Sequence, residues 1–160
     1  MKQILAILSI LLVGCATVRE HEDLKQPANK LLTASVGSTV FRVNKSGDLP
    51  NAFGGRDIYG GKIDLGYSEV KLIKIEEKRF VYLLATEIHK QSAETTMDRY
   101  KTGSNTEVNQ SVIIGGTSNG SVPVMIDIQE ENIYVLGGIR VEIVAVRGSS
   151  IDYLLTQQSH

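Results

Sequence analysis

The feature that most constrains this chain is a hydrophobic alternation of period two, which recurs from Ser38 to the C-terminal region. A strand turns successive side chains to opposite faces, whereas an amphipathic helix repeats every 3.6 residues. Thr39-Val40-Phe41-Arg42-Val43, Val70-Lys71-Leu72-Ile73-Lys74-Ile75 and Phe80-Val81-Tyr82-Leu83-Leu84-Ala85-Thr86 are rich in β-branched and aromatic residues, which suit a pleated, half-buried surface. In residues 122–128, Val122, Val124, Ile126 and Ile128 share one face. In residues 139–146, Ile139, Val141, Ile143 and Ala145 oppose Arg140 and Glu142. Segments 133–136 and 151–155 complete the predicted strands. The connections between them are polar or glycine-rich: a four-residue hairpin loop, Glu76-Glu77-Lys78-Arg79, then residues 129–132, Gly137-Gly138 and residues 147–150. No long helical repeat separates the strands, so the chain reads as all-β, a small antiparallel sandwich or a closed barrel. Alternation alone does not distinguish these two.

Size and charge narrow the function classes. The chain has 160 residues, and residues 32–160 have the length of one β-rich domain. Seventeen Lys and Arg face eighteen Asp and Glu, with no long block of either sign. A nucleic-acid binder draws much of its affinity from phosphate neutralisation and carries a basic excess. No nucleic-acid partner is expected.

The N-terminus reads as an address. After Met1-Lys2-Gln3, residues 4–13 run without a charge. As a helix, ten residues span about 15 Å, half of a hydrocarbon core roughly 30 Å thick, so they suit a signal peptide better than a membrane span. The following Leu12-Val13-Gly14-Cys15 resembles the lipobox of bacterial lipoproteins. The resemblance implies that residues 1–14 are removed and that Cys15 becomes the first mature residue. It further implies that Cys15 carries a diacylglyceryl thioether, and in many such proteins an amide-linked acyl chain such as palmitate, anchoring the protein in a membrane. Ala16, in place of Asp after the cysteine, implies the outer membrane, with the domain facing the periplasm. Cys15 is the chain's only cysteine, so no internal disulfide competes for it.

Residues 15–31 are expected to form the lipidated cysteine and a polar tether or one short helix, with Leu24, Leu31 and Leu32 docking on the domain edge. Residues 102–121 are mostly Ser, Thr, Asn and Gly. They offer too little apolar surface to offset the entropy of ordering and read as a flexible excursion with one short strand, Val112-Ile113-Ile114.

Chemistry-bearing motifs are sparse. Gly116-Thr117-Ser118-Asn119-Gly120 fits the G-x-S-x-G of a nucleophile elbow, and Asp127 or Asp152 and then His160 follow in the hydrolase order. That chemistry needs a strand, a strained turn and a helix, but Val122-Pro123-Val124 reads as a strand. Gly61-Lys62 lacks the partners of a phosphate loop, since Arg56 and Ile63 stand where Gly and Ser or Thr are required. His21, His89 and His160 are isolated from one another, with no metal-binding spacing. His21 reads as solvated in the tether and His89 as a surface residue. No catalytic residue, metal or cofactor is expected. The reading is a non-catalytic binding or scaffold module. Its alternatives are a periplasmic serine hydrolase acting through Ser118 and a small-ligand carrier with a barrel cavity.

The most distinctive stretch is residues 48–67, where aromatics and charges alternate with glycines. Glycine pairs on either side of Arg56-Asp57-Ile58-Tyr59 permit positive φ, so the tetrapeptide can be presented as a tip. Phe53, Arg56, Tyr59, Lys62 and Tyr67 are the candidate contacts for an envelope protein or glycan, because aromatic and Arg side chains on loops anchor recognition. In the opposing reading the glycines mark bulges, and Phe53 and Tyr59 close the core.

Overall fold

The computed structural model describes residues 18–51, 53, 55–90 and 118–158. Its strands, in chain order, are β1 (Glu20–Leu24), β2 (Leu31–Ser35), β3 (Thr39–Asp48), β4 (Lys62–Glu76), β5 (Phe80–His89), β6 (Ser118–Asp127), β7 (Ile133–Leu136), β8 (Ile139–Arg147) and β9 (Ser150–Gln157). They form two sheets, β1-β3-β4-β5-β6 and β2-β9-β8-β7, in which every pairing is antiparallel. The two sheets pack against each other, so of the two expected architectures the sandwich is the one adopted.

The inner faces carry most of the residues that the alternation marks. Val122, expected to share the face of Ile126, is instead 60% exposed, and a bulge between Ile143 and Ala145 sets Val146 rather than Ala145 against the core. Phe41 and Val43 of β3, Val70 and Leu72 of β4, and Val81 and Leu83 of β5 meet Val141 and Ile143 of β8 and Ile151 and Leu155 of β9. Each such side chain, fully buried, contributes about 1.5–3 kcal/mol relative to exposure. The space between the sheets is thus filled by side chains, unlike that of a barrel built as a carrier. A polar contact crosses it. A bulge between Thr39 and Phe41 leaves Val40 outside the regular ladder, and its carbonyl accepts a 2.5 Å hydrogen bond from the Tyr153 hydroxyl. Burial pushes the Tyr153 phenol up to about 12.

Three expectations are corrected. Residues 20–24, read as tether or helix, are the edge strand β1, paired with β3 from Glu20↔Gly47 to Leu24↔Val43. Its sequence, Glu-His-Glu-Asp-Leu, has no apolar alternation because an edge strand is held by ladder hydrogen bonds, and charge there discourages pairing with other chains. Leu24 and Leu32 do pack against the core, while Leu31 is exposed. Second, β4 runs through Glu76, so the reversal before β5 takes only residues 77–79, with Glu77 and Lys78 both at φ 53°. Third, residues 118–121, assigned to the flexible excursion, open β6 against β5. Residues 102–117, including Val112-Ile113-Ile114, lie outside the described residues, as do the signal segment and Cys15. Pro123 fits β6 because, among the described residues, this strand ends its sheet, and end strands are where proline is tolerated.

Candidate functional site

Sheet β1-β3-β4-β5-β6 extends past the apolar core on polar residues. Beyond Val43, β3 continues as Asn44-Lys45-Ser46-Gly47-Asp48, and β4 begins at Lys62. The connection between them, residues 49–61, is built from below. Leu49 is fully buried. Its N–H donates to the Gly61 carbonyl at 2.8 Å, and its carbonyl accepts the Asp57 N–H at 2.8 Å. Pro50 and Arg56 form an antiparallel bridge. Asn51 closes the turn above it: Oδ1 accepts the N–H groups of Phe53 (2.9 Å) and Gly55 (3.0 Å), and Nδ2 donates to the Arg56 carbonyl (3.3 Å).

Asp57 anchors the second half of the loop. Its side chain lies under the surface, where Oδ2 accepts the Gly61 N–H at 2.9 Å, while Oδ1 has no hydrogen-bond partner among the described residues. Gly61 is required for this approach, since a Cβ there would lie 2.8 Å from Asp57 Oδ2 and 2.9 Å from Leu49 Cδ2. Gly60 takes φ +72°. Positive φ is therefore found in the second glycine pair at Gly60, whereas Gly55 of the first pair does not use it. The tetrapeptide is not uniformly presented, because Asp57 points inward beneath Ile58 and Tyr59.

What the loop presents is apolar. Phe53 is 96% exposed, Ile58 85% and Tyr59 74%, and no other large hydrophobic among the described residues exceeds the 60% of Val122. Phe53 and Tyr59 thus do not close the core. Ile58, which the sequence reading passed over, belongs with them. Arg56 is exposed beside this tip, and its charge reaches Asp48 at the loop base. Asp48 is buried and accepts from His21 Nε2 at 2.7 Å and from the Arg19 N–H at 3.3 Å. The His21 hydrogen bond holds its carboxyl below the usual range against the upward push of burial. His21, expected in a solvated tether, is instead a strut between β1 and β3.

Lys62 and Tyr67 lie deeper, along an open groove of about 420 Å³ on β1, β3 and β4. Its lining carries four cations, Arg42, Lys45, Lys62 and Lys90, against two carboxylates, Asp23 and Asp64, an excess of two positive charges. Lys90 donates to Asp64 at 2.6 Å, and that bond keeps the Asp64 carboxyl low. The Arg42 guanidinium lies 3.7 Å from the Tyr67 ring centroid, so one aromatic face is already covered. Of the five candidate contacts, Phe53, Arg56 and Tyr59 share the tip. Lys62 begins the groove, and Tyr67 is a half-buried groove residue. The cations Arg42 and Lys45 come from β3 and Lys90 from just past β5, far away in sequence, and they carry no common sequence signal.

The groove floor depends on Gly66. It adopts φ +105°, and a Cβ there would fall 1.8 Å from the Ile88 carbonyl oxygen. The β3–β4 ladder slips at this point, between Lys45 and Ser46.

The hydrolase candidates are dispersed. Ser118 opens β6 opposite His89, with strand rather than helix following. Asp127 is clamped by Arg79 through both carboxylate oxygens. Asp152 accepts from Thr33 Oγ1 at 2.8 Å and pairs with Arg147 at 2.6 Å. His160 lies outside the described residues. Compared with family models, with curated proteins and with solved structures, the chain matches none.

Proposed function

We propose that this chain is a lipid-anchored protein of a bacterial envelope, a non-catalytic β-sandwich that binds or scaffolds through the loop at residues 49–61. The observation that carries the reading is an exposed apolar tip on a fixed base. Phe53, Ile58 and Tyr59 stand in solvent, while Leu49, Asn51 and Asp57 hold the backbone beneath them. A loop that exposes large apolar side chains without being free to fold them away is arranged to be covered by something else. The lipobox residues Leu12-Val13-Gly14-Cys15 support the anchor, and Ala16 supports the outer membrane and a periplasmic domain.

Mass spectrometry of the mature protein tests the anchor, with a diacylglyceryl group on Cys15 as the expected result. Cys15→Ser should leave the precursor uncut or release the domain from the membrane fraction. An unmodified Cys15 on mature protein contradicts the reading. A serine-reactive probe tests the non-catalytic half, and labelling of Ser118 would move the protein to the hydrolases.

A further inference from the structure

We infer that the tip formed by Phe53, Ile58 and Tyr59 dips into the same bilayer that holds Cys15, giving the domain a second, protein-borne membrane contact. The inference rests on the proposed lipid anchor and names the partner of the loop. It is carried by the place where the chain enters the fold. The Arg19 carbonyl accepts the Asp48 N–H at 2.9 Å, and β1 begins at once with Glu20 opposite Gly47. The polypeptide therefore arrives at the foot of the 49–61 loop, at the same end of the sheet.

Covalent geometry limits the separation. Cys15 precedes Arg19 by four residues, and four residues span at most about 14 Å even when fully extended. Phe53 lies five residues beyond Asp48, a reach of up to about 17 Å. Acyl chains inserted at Cys15 thus hold the loop end of the sandwich within about 14 Å of the lipid, a distance of the same order as the reach of the loop. The loop's chemistry suits that boundary. Phe and Ile favour the acyl region, whereas Tyr favours the interface, where its ring is buried and its hydroxyl stays wet. Val18, beside the entry point, is a further exposed apolar residue. Arg19 and Arg56 are exposed at the same end, where anionic headgroups attract cations.

Tryptophan fluorescence tests this directly, because the chain has no tryptophan of its own. Phe53→Trp and Ile58→Trp are made separately in the full-length lipidated protein. Val144→Trp, exposed on β8 in the other sheet, is the control. Each is reconstituted into phosphatidylethanolamine–phosphatidylglycerol vesicles with and without lipids brominated on the upper acyl chain. The expected result is a blue-shifted emission at positions 53 and 58 that loses most of its intensity to the brominated lipid, with neither change at position 144. If Cys15 is acylated and positions 53 and 58 are quenched no more than position 144, the inference fails while the anchor stands. A blue shift without bromine quenching means that protein covers the tip, whether residues 91–117 or another chain, and also overturns it. An unacylated Cys15 removes the anchor reading and the inference with it.

Discussion

Two connections leave the same strand, β4, at its opposite ends, roughly 45 Å apart for a strand of fifteen residues. At one end, residues 49–61 carry Phe53, Ile58 and Tyr59 into solvent above a buried leucine. At the other, residues 77–79 reverse the chain in three steps. Every side chain there is charged, with Arg79 clamping Asp127 and Lys74 pairing with Glu76 nearby. Both join antiparallel neighbours of one sheet, so topology asks the same of each. The short turn meets that demand even with two non-glycine residues at positive φ. The extra length and apolar surface of the longer loop are therefore not explained by chain reversal, and the proposed membrane contact would account for them.

If the long loop is a built feature, undermining its base should cost far more than altering its tip. Leu49→Ala leaves a cavity under the loop and should lower stability by about 2–5 kcal/mol, seen as a fall in Tm of roughly ten degrees. Tm unchanged by this substitution would show that the loop has no base.

The core on which both connections stand should yield to alkali. Tyr153 holds its proton more tightly folded, at about 12, than unfolded, at 10.0. The unfolded state therefore binds fewer protons above the unfolded value, and stability declines as pH rises. The contribution is intact below about pH 10 and declines by about 3 kcal/mol as pH climbs through about 12. Urea unfolding of wild type and Tyr153→Phe at about pH 9 and about pH 12 should show a larger alkaline loss for wild type. Equal losses would remove Tyr153 as the cause.

The short turn should be improvable. Lys78→Gly relieves a left-handed lysine and should raise stability by about 0.5–1 kcal/mol, measured as a small rise in Tm. Phe53→Ser and Ile58→Ser, each changing a side chain in solvent, should alter stability by no more than about 0.5 kcal/mol. A loss of several kcal/mol at either would place that side chain in the fold rather than at a contact.

The sequence exposed some of this and hid the rest for a physical reason. Alternation reports burial on one face, so the strands around Phe41, Leu72, Leu83, Ile126 and Val141 were legible. The same signal is silent where a sheet is held by hydrogen bonds alone. Residues 20–23 and 44–48 carry no apolar alternation, and ladder pairing makes them strands, β1 on β3 and the end of β3 on β4. The loop's aromatics and glycines marked it as distinctive, yet whether Phe53 and Tyr59 turned in or out depended on Leu49 and Asp57 occupying the space beneath. Ile58, a plain aliphatic residue in the tetrapeptide at 56–59, carried no signal that set it apart as a contact. The need for glycine at position 66 could not be read either, since the carbonyl it makes room for belongs to Ile88, on another strand.

The central claim is that the loop end of the sandwich faces the membrane and the turn end faces away. A photo-crosslinking side chain placed at Ile58 or at Lys78 of the lipidated protein, activated in its native membrane, tests this most directly. Lipid adducts at position 58 with none at position 78 are the predicted result. Equal adducts at both positions, or adducts at 78 alone, would contradict the account.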